Sequence, residues 1–331
     1  MPAVLPISFL AGLTSVVLYL GTASGSALGL LLVMAAPLPI FMAGLGWGSR
    51  AALGAGLIAT VILTIFGALA PPQLGTWMLG PAYFITTAGT PILLSRLALL
   101  RRPIASQTGG ENYEWYPVGH LLLWTAGLSG GALLVAGVLA YQADPKGLTG
   151  LVQQWIDILL PAGSDLRDKL MLETGAKDWE PLARSMARSL PAMAGLMWQL
   201  MTIANALIAQ SLLTATRHAI RPVIGWRTLT LPRPLALVLV LALVGAFAKG
   251  DIGFMAGTLA AVLFVPYFFL GLTVIHAIPA RGAGRVVLLG LIYVVLVVLI
   301  SPAILIGILG LLEQWTGFRA RLVAATRSED R

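Results

Sequence analysis

Residues Met1–Ser49 read MPAVLPISFLAGLTSVVLYLGTASGSALGLLLVMAAPLPIFMAGLGWGS, forty-nine positions without one Asp, Glu, Lys, Arg or His. Arg50 closes the run, and Ala51–Ser95 continues equally free of charge. About 20 apolar residues at ~1.5 Å rise cross a ~30 Å hydrocarbon core, so each run is too long for one crossing and accommodates two. The same reading extends to Trp115–Ala143, Ser189–Thr216, Ile252–Ala280 and Val286–Leu312, where isolated His residues sit only near the ends. The expected class is therefore all-α, a polytopic transmembrane helix bundle of about nine membrane helices. They are placed at Leu5–Ala23, Ala27–Gly46, Ala51–Ala70, Thr76–Leu97, Pro117–Tyr141, Leu190–Ala215, Leu231–Ala248, Ile252–Ile278 and Arg285–Leu312. Gly25, the cluster Gly44, Gly46 and Gly48, Pro71-Pro72, and Pro232 with Pro234 punctuate the joints.

Composition agrees. Hydrophobic residues make up 58% and charged residues 10%, with a mean hydropathy of +0.90, far from the roughly 25% charge of a soluble domain. No Cys is present, which removes disulfides, thiolate nucleophiles and thiolate metal sites. The HExxH, Walker A and EF-hand patterns are also missing, so no metal or cofactor is expected and an ATPase would have to be another chain. The net charge of +8 sits in short connections flanking apolar helices. It reads as topology and contact with anionic headgroups rather than nucleic-acid binding. Arg outnumbers Lys 17 to 4, a bias of GC-rich bacterial genomes. No positive charge precedes Leu5 and a second apolar stretch follows the first at once, so the first helix is expected to remain rather than be cleaved.

Four regions follow: 1–141 with membrane helices 1 to 5, 142–189 outside the membrane, 190–318 with helices 6 to 9, and a basic tail at 319–331. Region 142–189 holds most of the acids, with Leu148, Leu151, Val152, Trp155, Ile156, Leu159 and Leu160 at helical spacing. An amphipathic helix lying on the membrane or across the bundle is expected there, with a second short helix at Trp179–Ser189. The stretch Ser106–Asn112 reads as a loop. Connections after helices 2, 4, 6 and 8 carry ten arginines: Arg50; Arg96, Arg101 and Arg102; Arg217, Arg221, Arg227 and Arg233; Arg281 and Arg285. The positive-inside rule makes these cytoplasmic, with the N-terminus, and places 142–189 outside. Ser301-Pro302 divides the last stretch, so a re-entrant hairpin is the alternative to a plain ninth crossing; the plain crossing is the expectation.

Among candidate site residues, Trp198, Thr202 and Asn205 share one face of helix 6, while Gln199 and Gln210, eleven residues apart, share another. Uncharged amides bind a ligand without the cost of an intramembrane charge, and they equally join helices at ~0.6–2 kcal/mol per contact. No helix centre holds an Asp or Glu, which argues against ion-coupled antiport. Lys249 and Asp251 at the helix 7–8 turn read as a solvated pair. Gly127-Leu128-Ser129-Gly130-Gly131 fits the G-x-S-x-G nucleophile pattern and the G-x-S-G of intramembrane rhomboid proteases, but needs a His within reach. His120 lies on the opposite face of the same helix, leaving His276 through tertiary contact. The competing account is a small-residue stripe for close packing, as for Ala51, Ala55 and Ala59 and the pairs Gly25/Gly29 and Gly253/Gly257. Trp47, Trp77, Trp115, Tyr116 and Trp315 near helix ends form an aromatic belt.

Pro37-Leu38-Pro39 with the following glycines and Arg50, Asn205 and Gln210 before Arg217 and Arg221-Pro222, Leu231-Pro232, Pro266-Tyr267 with Gly271-Leu272 and His276, and Gly310-Leu311-Leu312-Glu313 before Phe318-Arg319 together resemble the YybS-like family of bacterial membrane proteins. An Asp is common in that family where Glu313 stands here. The resemblance spans nearly the whole chain. It implies a distant similarity to the substrate-binding S components of energy-coupling-factor transporters, six-helix proteins that capture vitamins or metal ions and dock on a shared transmembrane subunit with ATPases. The expected function is non-enzymatic: a bacterial inner-membrane protein with an S-component-like core, binding a small molecule or lipid through Trp198, Gln199, Thr202, Asn205 and Gln210, with a separate energising membrane protein partner. An envelope assembly or regulatory scaffold is the alternative, and an intramembrane serine hydrolase a remote one.

Overall fold

The computed structural model describes residues 4–71, 76–104, 112–143, 146–223, 225, 229–277, 283–299, 301–319 and 321. The chain forms two compact units, one of residues 1–125 with 200–229, the other of 126–199 with 230–331. Two long helices, α7 at Val118–Ala143 and α10 at Trp179–Ala215, contribute to both.

The first unit opens with α1 at Val4–Leu20, continued by a 3-10 turn at Gly21–Ser24. Its buried positions are Ser8, Gly12, Ser15 and Val16, whereas Leu5, Phe9, Leu13 and Val17 are exposed. That is the reverse of a water-soluble helix: the small and weakly polar stripe faces protein, and the large apolar stripe faces out, as lipid requires. The partner is α4 at Ser49–Leu69, whose Ala51, Ala55 and Ala59 are fully buried while Leu53, Leu57, Val61 and Ile65 are exposed. A methyl group at Gly12 would come within 2.7 Å of the Ala55 carbonyl oxygen, so the two backbones nearly touch. The seam's hydroxyls donate to backbone, Ser8 to the Ala51 carbonyl at 3.1 Å and Ser15 to that of Ala36 at 2.5 Å.

The expected helix Ala27–Gly46 is two, α2 at Ala27–Met34 and α3 at Leu38–Trp47. Pro37 has no N–H to continue the ladder and clashes with the preceding turn. The expected Thr76–Leu97 is α5 at Leu79–Tyr83 and α6 at Gly89–Ala98, joined by a π turn at Phe84–Ala88 in which the Gly89 N–H reaches back to the Phe84 carbonyl. Pro91 supplies no donor for the Thr87 carbonyl, which favours this wider turn. Sequence reading missed a small hairpin, β1 at Arg101–Ile104 with β2 at Asn112–Trp115, in register Arg101↔Trp115 and Arg102↔Glu114. The expected loop Ser106–Asn112 falls outside the described residues except for Asn112.

In the second unit the expected amphipathic helix is α8, Gly147–Leu159. Ile156, with Leu160 beyond the helix end, packs against Trp179, Ala183 and Ala187, while Trp155, Ile158 and Leu159 are exposed. An unforeseen α9 occupies Asp165–Thr174, and the short helix expected at Trp179–Ser189 is the first part of α10, continuous through Pro191. The remaining helices are α11 at Arg233–Gly245, α12 at Gly250–Ala277, α13 at Ala283–Val298 and α14 at Ser301–Thr316. The expected single rod Arg285–Leu312 is thus divided just before Pro302, which lacks the N–H an unbroken helix needs there. A methyl group at Gly271 would run into the Ile306 carbonyl, and one at Gly310 into that of Tyr267, so α14 lies antiparallel to α12 at backbone contact.

Six helical stretches among the described residues are long and apolar enough to cross a membrane, counting α1 with its 3-10 turn and α2 with α3: Val4–Ser24, Ala27–Trp47, Ser49–Leu69, Val118–Ala143, Trp179–Ala215 and Gly250–Ala277. The all-α polytopic class holds, and the count of nine is not confirmed among the described residues. The 13 residues of α11 make only ~20 Å, and α13 and α14 are equally short of a ~30 Å core.

Candidate functional site

The polar residues of the sixth sequence helix all lie on α10. Asn205 is buried and its amide nitrogen donates twice, to the Met34 carbonyl at the end of α2 and to the Met201 carbonyl of its own helix, both at 2.8 Å. Two donors are all that the amide has, so only its oxygen remains to meet a ligand. Thr202 and Gln199 are also buried, and Trp198 is half-buried. Trp198 and Gln199 belong to the second unit, whereas Thr202, Asn205 and Gln210 belong to the first.

Gln210 leads to a residue that sequence reading took only for a topology signal. Its amide nitrogen donates to the Arg221 carbonyl at 2.9 Å, fixing the chain after α10 against the helix. The Arg221 side chain turns inward and is 7% exposed. Its guanidinium donates to the Ala98 carbonyl at 3.1 Å, in the last turn of α6, and to the Tyr116 carbonyl at 3.0 Å, beyond β2. The Trp115 ring centroid lies 6.0 Å from it. A cation at a helix C-terminus is favoured by the exposed carbonyl dipoles. Burial pulls the Arg221 pKa below the usual arginine value, a shift that leaves an arginine protonated. Gln210 and Arg221 line a slot of about 70 Å³ whose other walls are Phe41, Leu45, Leu94, Leu122 and neighbouring apolar groups, with Thr125 at the side. Asn205 and Thr202 do not line it.

A larger groove of about 490 Å³ lies wholly in the second unit. Its walls include Lys146, Gln153, Glu180, Arg184, Arg188 and Asp251, from α8, the first turns of α10 and the start of α12. Gln153 and Arg184 both donate to the Glu180 carboxylate, at 2.9 and 3.3 Å. Gly250, at φ +70, makes the turn that sets Asp251 at the rim. Asp251, read from sequence as half of a solvated pair with Lys249, thus shares a cavity wall with Lys146. The signal that could have found the groove was the density of charge in 142–189 opposite a glycine-bounded helix start.

The nucleophile motif resolves differently. Ser129 is buried in α7 and its hydroxyl donates to the Gly195 carbonyl at 3.1 Å. His276 bonds through Nδ1 with the Leu272 carbonyl at 2.8 Å. Glu313, at the end of α14, receives the Arg319 side chain at 2.8 Å. Among the described residues no group of three His, Cys, Asp or Glu side chains could hold a metal ion.

Buried small residues, outward apolar stripes and several spanning helices define a polytopic α-helical membrane protein. The chain belongs to the DUF2232 family, described as predicted membrane proteins, whose model matches residues 127–313. Every residue lining the larger groove falls within that match. No curated protein and no solved structure matches the chain.

Proposed function

We propose that this chain is a non-enzymatic, multi-pass protein of the bacterial inner membrane, with a cytoplasmic N-terminus, that binds a small molecule or lipid for transport with a separate energising partner. The groove carries this reading. Its volume of about 490 Å³ falls in the ~300–1,000 Å³ range of small-molecule sites. Lys146, Arg184 and Arg188 facing Glu180 and Asp251 suit a polar or zwitterionic molecule. The YybS-like resemblance and its distant kinship with S components supports the same reading, since such proteins capture a ligand and leave energy coupling to others. Thr202, Asn205 and Gln210 in the first unit, and separately Trp198 and Gln199 in the second, remain proposed ligand contacts.

One observation favours the scaffold alternative: Asn205 spends both amide donors on backbone carbonyls, and Gln210 donates to the Arg221 carbonyl and the Thr214 hydroxyl. Native mass spectrometry of protein extracted from its own membrane separates the two. A reproducible small-molecule adduct that falls about tenfold or more in a Lys146→Ala/Arg188→Ala double variant, with unchanged melting temperature, is the expected outcome. An adduct-free protein that retains only a protein partner would establish the scaffold instead.

A further inference from the structure

We infer that Arg221 and the apolar slot beside it form a binding site for a single-chain amphipathic anion, a carboxylate or phosphate at the guanidinium with its alkyl chain among Phe41, Leu94, Leu122 and Ile203. This site lies entirely in the first unit and does not depend on the groove reading.

Three observations meet here. Arg221 is buried with no carboxylate within ion-pairing distance among the described residues; its neighbours are the carbonyls of Ala98 and Tyr116 and the Trp115 ring. A guanidinium carries five N–H bonds, so the two carbonyls leave three for an acceptor from elsewhere. A buried cation that meets only partial charges bears a desolvation cost that a full negative charge offsets, and the planar fork matches carboxylate or phosphate oxygens. The cavity that this cation borders is lined almost wholly by apolar side chains, a wall that water does not satisfy and an alkyl chain does. Its volume of about 70 Å³ is too small for a drug-sized body at ~300 Å³ or more, yet it takes the few methylenes next to the head. Cation and apolar wall thus select a molecule with both an anionic head and a narrow tail. A free inorganic anion would use only the first feature and a neutral alcohol only the second.

The test uses the full chain in nanodiscs of zwitterionic phosphatidylcholine, titrated with dodecanoate, dodecyl phosphate, dodecanol and inorganic phosphate, with bound ligand read by native mass spectrometry. Dodecanoate and dodecyl phosphate are expected to saturate one site, dodecanol to bind at least about tenfold more weakly, and inorganic phosphate to leave no adduct. Arg221→Gln should abolish the preference for the anions over dodecanol, and Arg221→Lys should keep part of it. Leu122→Trp, which fills the slot without touching the charge, should lose both alkyl anions, and carries the test if Arg221→Gln does not fold. Equal binding of dodecanol and dodecanoate, an intact preference in Arg221→Gln, or inorganic phosphate binding as well as the alkyl anions would each overturn the assignment.

Discussion

Single atoms decide much at Gly271 and Gly310, where a Cβ would meet the facing helix's carbonyl oxygen. Gly271→Ala or Gly310→Ala should destabilise the protein by about 1–3 kcal/mol, the usual range for overpacking, seen as a lowered melting temperature in detergent. Gly131 on α7 has open space around it. There the same change should be neutral or stabilising by up to ~1 kcal/mol through helix propensity, so the pair of measurements separates close approach from a general intolerance of alanine. Asn205→Ala removes the tie to Met34 and should cost about 0.6–2 kcal/mol. Ser129→Ala, which gives up only the bond to Gly195, should lower stability by a similar amount and leave any cellular phenotype intact; loss of phenotype with unchanged stability would favour the hydrolase reading. The amides of Asn205 and Gln210 were legible in the sequence because polar side chains stand out in an apolar helix. Arg221 was not, because one arginine among ten in the connections carries no mark of whether its side chain points to water or inward; that is settled by Gln210, Ala98 and Tyr116, residues far apart in the chain.

Elements were legible where the pattern is a matter of length. The charge-free runs place α1, α4, α7 and α12 to within a few residues, since hydrophobic length is what the bilayer selects. Breaks were harder to read. Pro37 and Pro302 interrupt their helices, yet α10 runs on through Pro191 and α12 through Pro266, so whether a proline ends a helix depends on what else holds the two halves. On one face α8 buries Ile156 against Trp179, Ala183 and Ala187, and the Trp179 indole donates to Asp157 at 2.8 Å, while Trp155, Ile158 and Leu159 are exposed on the other. Ile156→Ala should therefore cost about 2–5 kcal/mol locally. Hydrogen exchange should quicken across Gly147–Leu159 and the first turns of α10 while α1 and α4 keep their protection; uniform quickening would mean that the segment is not a separate cooperative element.

For the molecule as a whole, α10 is the ruler. Its 37 residues exceed the about 20 that cross a ~30 Å core, so embedding the apolar stretch that ends at Ala215 leaves over the residues near Trp179. The arginine bias predicts an external Trp179 end and a cytoplasmic Thr216 end. The chain has no native thiol, which makes single-Cys labelling clean. Ser164→Cys should react with an impermeant maleimide in intact spheroplasts, and Thr216→Cys only after permeabilisation; the reverse pattern would invert the orientation and every surface assigned from it. Fold class was open to sequence reading because the solvent dictates it through composition. The two cavities were not, because each is built by segments more than a hundred residues apart.

The seam between α12 and α14 also has a thermal consequence. α12 is long and apolar enough to cross a membrane, and where a backbone seam such as that at Gly271 and Gly310 forms among lipid, lipid contacts are exchanged for protein contacts and almost no water is released. Hydrophobic attraction, with its large heat-capacity signature, fades on cooling. Dispersion and the weak Cα–H···O attraction that such close approach permits do not. If 142–189 lies outside the membrane, as its charge predicts, cooling should loosen the Ile156–Trp179 cluster before it loosens this seam, and the heat capacity of unfolding should come chiefly from the part of the chain that the membrane does not contain.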